Sequence, residues 1–137
     1  AICIKKNRKV VVQTAVAVKP KIWWTKSFMM SIGREVEWIF AIDGLPKDSN
    51  KYRVNQDGEK LYDIMLRCAS FGVKTQWQYI VFNYNEKDVE TCKSIANEHG
   101  IKFLQITSGR WGTEVLKSLQ PSKDYSDISG VSVRKYT

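Results

Sequence analysis

WIFAIDGLPKDSNKYRVN, residues 38–55, decides the fold. Trp38, Ile39, Phe40, Ala41 and Ile42 form an apolar run that leads into Asp43-Gly44 and then into a long polar loop carrying Lys51, Tyr52 and Arg53. Asp-Gly after a strand signals either a hairpin or the carboxyl end of a parallel strand. The run extends back to Val36 without polar/apolar alternation, as in a strand covered on both faces, and no partner strand follows the Asp-Gly closely. The hairpin reading is therefore rejected, and Glu35–Leu45 is read as a buried parallel strand.

The neighbouring segments repeat the pattern. Residues 10–16, VVVQTAV, are β-branched and apolar and predict a strand. After Pro20, KIWWTKSFMMSIG predicts a helix closed by Gly33, with Trp23, Trp24, Phe28 and Met29 as a core-facing aromatic stripe. Residues 59–71 place Leu61, Ile64, Met65, Cys68 and Phe71 at helical spacing ahead of Gly72. KTQWQYIVFNYN, residues 74–85, predicts a third strand, and Asn85 is placed to cap a helix that buries Val89, Cys92, Ile95 and Ala96 and stops at Gly100. IKFLQIT, residues 101–107, predicts a fourth strand, with a short helix near Thr113–Leu119 after it. Repeated strand–helix units of this length specify a parallel α/β sheet with right-handed crossovers.

The totals fit one domain of 137 residues, 43% hydrophobic and 26% charged. It divides into a basic segment (1–9), a βα core (10–107) and a Ser-rich C-terminal extension (108–137). No apolar run approaches the ~20 residues of a membrane span, and the N-terminus lacks a signal-peptide hydrophobic region, so a cytoplasmic protein with no membrane partner is expected. Cys3, Cys68 and Cys92 lie far apart and outside any metal spacing; Cys68 and Cys92 read as reduced core thiols. His99 is the single histidine and sits at a helix end, so no multi-histidine metal site is encoded. Dinucleotide, Walker and serine-hydrolase signatures are absent.

Charge is uneven. Of 22 Lys and Arg, eight precede Glu35 (Lys5, Lys6, Arg8, Lys9, Lys19, Lys21, Lys26 and Arg34) with no acid among them, which leaves 14 opposite the 14 Asp and Glu. The net charge of +8 thus belongs to the N-terminal quarter, either a solvated terminus or a footprint for nucleic acid, with Trp23 and Trp24 available for stacking in the latter case.

In parallel α/β folds, chemistry collects where strands end. That rim holds Thr14 and Ala15, Asp43 and Gly44, Asn83 and Asn85, and Thr107 and Ser108. Asp43 could accept hydrogen bonds from a ligand, orient Arg53, or cap its own loop. Lys51, Tyr52 and Arg53 suit a carboxylate or phosphate, or pin the loop to the rim. Asn85 is a helix cap or a ligand contact.

The succession Ala41-Ile42-Asp43-Gly44, Tyr52-Arg53, Gly72, Asn85 and Ala96 to Gly100 resembles the second half of a radical S-adenosylmethionine core domain, with Thr14 matching an earlier strand end. The likeness covers residues 9 to 107. It implies a partial, half TIM-type barrel of about four βα units that binds S-adenosylmethionine or a nucleoside-like ligand at the rim through Thr14, Asp43, Asn83, Asn85 and Thr107. The family's C-x-x-x-C-x-x-C loop and Gly-Gly-Glu motif are absent, and Ala41 and Ala15 stand where the family has Ser and Asn. The iron–sulfur cluster is thus not encoded here, and radical chemistry is expected only with a cluster-bearing partner. An open edge at VVVQTAV further predicts a homo-oligomer or a partner chain that completes the sheet. The alternative function is a basic nucleic-acid-binding module using Lys5, Lys6, Arg8, Lys9, Lys19 and Lys21.

Overall fold

The structure, a computed structural model, describes residues 8–108 and 111–122 together with the strand at 132–136. In chain order the elements are β1 (Val10–Thr14), α1 (Lys21–Ser31), β2 (Val36–Ala41), α2 (Gly58–Ser70), β3 (Lys74–Ile80), α3 (Val89–Glu98), β4 (Lys102–Ser108), α4 (Glu114–Lys117) and β5 (Ser132–Tyr136). Short 3-10 turns at Ser49–Lys51 and Glu86–Asp88 follow β2 and β3. The sheet has five strands in sequential order, all parallel. Strand pairing runs Val10 with Val36, Phe40 with Trp77, Trp77 with Phe103, and Leu104 with Ser132.

The opening stretch does end a parallel strand, as its unbroken apolar run requires. Three strand boundaries differ from expectation, the first being β2, which runs Val36–Ala41 inside the expected Glu35–Leu45. β1 stops at Thr14 because Thr14 Oγ1 donates to the Val16 carbonyl at 2.9 Å and turns the chain. β3 stops at Ile80, short of Asn85, because the Asn85 side chain folds back onto the strand end. The expected cap at Asn85 is not made: its amide serves the strand ends and not the helix start. The C-terminal extension, read as a tail, contributes β5. SVRKY is short and charged, so it carries little of the apolar signal that marks an interior strand.

Successive strand residues point to opposite faces. Trp38 and Phe40 of β2 and Trp77 and Tyr79 of β3 lie on the helix side, in one core with Trp24 and Phe28 of α1, Leu61, Met65 and Cys68 of α2, and Val89, Cys92 and Ala96 of α3. Trp77 is fully buried, and its indole N–H donates to the Ile42 carbonyl at 2.8 Å, so apolar burial costs no unpaired donor. Trp38 likewise donates to Ser31 Oγ at 3.0 Å, fastening β2 to the end of α1. Asp57 accepts from the Lys60 N–H at 3.1 Å and starts α2.

The other face is a hollow that, among the described residues, is not covered by α1, α2 or α3. Gln13, Ile39, Gln76, Gln78, Ile80, Leu104 and Ile106 alternate with the core residues and line it. Gln13 of β1 donates to Gln78 of β3 at 3.0 Å, reaching across the intervening strand where Ala41 presents only a methyl group. That span requires a curved sheet, the geometry of an incomplete barrel.

The thiols of Cys68 and Cys92 are buried on the inner faces of α2 and α3. Burial pushes each up to about 12, which removes them from nucleophilic chemistry. Cys3 lies outside the described residues. Among the described residues no helix is long and apolar enough to cross a membrane.

Candidate functional site at the strand carboxyl ends

Asp43 follows β2 and has no exposed surface. Its Oδ2 accepts from Arg53 Nε at 2.8 Å and its Oδ1 from the Ile80 N–H at 2.9 Å. Burial pushes its carboxyl above the ordinary carboxylate value, and the Arg53 guanidinium and the Ile80 N–H pull the other way. Asn85, also fully buried, donates to the carbonyls of Asp43 at 3.1 Å and Ile80 at 2.9 Å and accepts from the Phe82 N–H at 2.7 Å. Tyr79 Oη donates to the Asn85 carbonyl at 2.6 Å. These bonds knot the ends of β2 and β3 together. Both side chains are thereby engaged inside the protein, so a ligand would meet the surface they support. Gly44, between Asp43 and the loop, holds a φ of 129°, reserved for residues without a Cβ.

Lys51 pairs with Asp48 at 3.1 Å and Arg53 with Asp43, so both cations meet carboxylates of their own loop, which favours the pinning role. Tyr52 turns inward: its ring lies 4.5 Å from that of Phe82, centroid to centroid. Phe82 in turn meets the edge of Trp111 at 6.0 Å. These three rings, with Leu116 of α4, wall a cavity of about 340 Å³ whose sheet side is formed by Gln78, Ile80 and Ser108. Its position is the carboxyl end of β3 and β4, on the hollow side.

The remaining expected rim residues do not converge with Asp43 and Asn85. Thr14 closes its own turn at the far edge of the sheet. Asn83 is exposed and props α4, its side-chain amide donating to the Ser118 carbonyl and its N–H to the Leu119 carbonyl at 2.9 Å. Thr107 is buried on the helix side, where its hydroxyl has no partner among the described residues. The cavity-lining Gln78, Phe82, Trp111 and Leu116 were absent from the sequence-based set. One signal pointed to them: QWQ in β3 puts amides on the face opposite Trp77, which an entirely dry sheet would not do.

The basic quarter does not form a single surface. Lys9 borders Glu35, Glu37 and Lys74 at the amino end of the sheet, while Lys19 and Lys21 lie beyond the carboxyl end of β1. Trp24 is only 3% exposed and belongs to the core, which removes it from base stacking. Arg8 is exposed at the amino end, and Lys5 and Lys6 lie outside the described residues. The arrangement gives the nucleic-acid alternative no support.

No family model and no curated protein sequence matches the chain. Solved structures do match its fold. SuiB of Streptococcus suis superposes with a TM-score of 0.65 at 10% identity, over 98% of this chain and 34% of SuiB. SuiB bound to S-adenosylmethionine gives a TM-score of 0.64 at 8% identity over the same shares. SuiB bound to its precursor peptide SuiA gives 0.59 at 11% identity, over 90% of this chain and 27% of that one. The chain shares the fold of that part of SuiB, a partial parallel α/β barrel. At these identities the likeness concerns the fold, and the chain spans about a third of SuiB's length.

The resemblance read in the sequence implies two groups, an iron–sulfur cluster and S-adenosylmethionine. Among the described residues no three His, Cys, Asp or Glu side chains come together as a metal site, and Cys68 and Cys92 are separate core thiols. A nucleoside-sized group does fit, because the cavity combines aromatic walls with an amide and a hydroxyl at its base.

Proposed function

We propose that this chain is the S-adenosylmethionine-binding portion of a radical-SAM-type domain, whose cluster is supplied by another segment or partner chain. One observation carries the reading: the cavity walled by Tyr52, Phe82 and Trp111 opens at the carboxyl ends of β3 and β4 in a fold that matches SuiB with S-adenosylmethionine bound. The aromatic rings would take the planar adenine, and Gln78 and Ser108 would address polar edges of the nucleoside. Asp43, Asn85 and Arg53 act behind this surface by holding the strand ends and the Tyr52 loop in place. Thr14 and Asn83 contribute to the rim as supports, the first by closing its own turn and the second by holding α4. When bound beside a cluster, S-adenosylmethionine supplies the radical-generating chemistry. This chain's own residues bind and orient its adenosyl part and exclude water from it. The presence of a peptide partner in SuiB makes a peptide the favoured class of second ligand.

The test is calorimetric titration of the purified chain with S-adenosylmethionine, adenosine and methionine, at low and high salt, beside Trp111→Ala. Salt-insensitive binding of the first two, weakened roughly tenfold by loss of the indole, is expected. Binding of methionine alone, or no heat with any of the three at millimolar concentration, refutes the reading.

A further inference from the structure

We propose that the groove between α1 and α2, on the helix side of the sheet and opposite the hollow, docks an acidic peptide segment. α2 presents Lys60, Asp63, Ile64 and Arg67 along one stripe, at the spacing that aligns side chains on a single helix face. α1 faces it with Lys21 and Trp24. Between the helices lies an open channel of about 410 Å³, with Trp24 and Ile64 almost wholly buried beneath it.

The charges of this channel are not matched internally. Three cations border it and one carboxylate, Asp63. Among the described residues, Lys60 Nζ reaches only the Lys19 carbonyl, at 3.4 Å, and Arg67 Nη1 only the hydroxyl of Thr25, at 3.3 Å. Lys21 forms no ion pair among the described residues. A partner bearing carboxylates therefore gains charge pairing with all three at little cost, because no existing pair must be broken.

Geometry specifies the partner further. Lys60 and Arg67 are seven residues apart on a helix, roughly 10 Å at about 1.5 Å per residue. An extended peptide rises about 3.3 Å per residue and its alternate side chains share a face, so two acidic residues four positions apart, about 13 Å, reach both cations from one face through their flexible side chains. A phosphate backbone suits the groove less well. Asp63 interrupts the row of cations, and Trp24 offers no open ring face, since its indole is buried and donates to the Lys19 carbonyl at 3.1 Å. The occupant is thus an extended protein segment that carries acidic side chains on one face, four positions apart. This inference uses a different face from the cofactor reading and stands or falls independently of it.

The experiment is fluorescence anisotropy with a labelled decapeptide containing Glu-Ser-Ser-Ser-Glu. The comparison ligands are the same peptide with Lys for both Glu, and a single-stranded DNA oligonucleotide. Lys21→Glu combined with Lys60→Glu alters two exposed side chains and leaves the core untouched. Lys87→Glu combined with Lys102→Glu makes the same change in net charge elsewhere. Circular dichroism melting verifies that both are folded; should the first pair unfold, Lys60→Ala replaces it. The proposal expects binding of the acidic peptide alone, weakened about tenfold by the groove pair and less than about twofold by the distant pair. Equal loss in both variants, preference for DNA, or no binding at millimolar peptide overturns it.

Discussion

The side-chain amide of Asn85 donates to the backbone carbonyl of Asp43 across 42 positions of sequence, at 3.1 Å, and joins the loop after β3 to the end of β2. The same side chain serves Ile80 and Phe82, so three backbone groups depend on one buried amide. Replacing Asn85 with Ala leaves all of them without their partner. The expected loss is about 2–4 kcal/mol of stability, read as a lower urea midpoint with unchanged slope. A change under about 0.5 kcal/mol would mean that the knot is incidental.

The Asp43–Arg53 pair sets a pH dependence. The carboxyl of Asp43 lies above its ordinary value because burial outweighs the help from Arg53 and the Ile80 N–H. The folded protein therefore holds this proton more tightly than the unfolded chain does. Its contribution to stability is complete below the ordinary carboxylate value and declines as pH rises through the raised one. Asp43→Asn should abolish that decline, so melting curves of variant and wild type against pH should differ in slope across the acid range. Arg53→Met removes the compensating charge and should steepen the decline, with a loss of roughly 3–5 kcal/mol at neutral pH. Parallel wild-type and Asp43→Asn profiles would contradict this account.

Cys68 and Cys92 provide a probe of the helix layer. With their thiols near 12, both should remain unmodified by iodoacetamide at pH 8 in the native protein and react at the rate of unfolding. Peptide mapping after a timed pulse measures this directly. Because these pKa values are raised, ionisation of either thiol costs stability as pH climbs from the ordinary thiol range towards 12.

How much of this was visible in advance depended on the kind of signal. The strand at Trp38–Ile42 and the helix at 59–71 were legible because long apolar periods follow from burial, and burial on two faces leaves no alternation. β5 was not, since an edge strand needs little apolar content. Asp43 and Asn85 were correctly brought to the same rim, but their partners were not foreseeable. Whether a polar side chain turns to a ligand or to a neighbouring carbonyl is set by loop geometry that no local pattern encodes. Phe82, Trp111 and Leu116 come from three different segments, and only the tertiary fold makes them adjacent.

Gly58 opens α2 against the loop after β2. A Cβ there would collide with Ser49 Oγ and the Pro46 carbonyl. Gly58→Ala should cost about 1–3 kcal/mol despite the usual gain from placing Ala in a helix. Adding Ser49→Gly should recover only part of the loss, because the Pro46 carbonyl is backbone and cannot withdraw. Full recovery in chemical denaturation would assign the clash to Ser49 alone.

β1 is an edge strand whose Val11 is 53% exposed, and Val16, Val18, Ile22 and Met29 are exposed as well. The purified chain is expected to self-associate or to capture a strand along this edge. Light scattering as a function of concentration checks it, and a constant 15.8 kDa particle would count against it.

The amide bridge from Gln13 to Gln78 bears on why such a sheet can stand half-closed. A hollow lined only with leucine and isoleucine would be under solvent pressure to shut, and an open form would be sticky throughout. Here the hollow carries its own amides, one of them satisfied by another, so water can occupy it without a large penalty. A partner that completed such a barrel would be recruited by its margin and not by its interior, and closure would answer to its arrival while the chain itself remained folded.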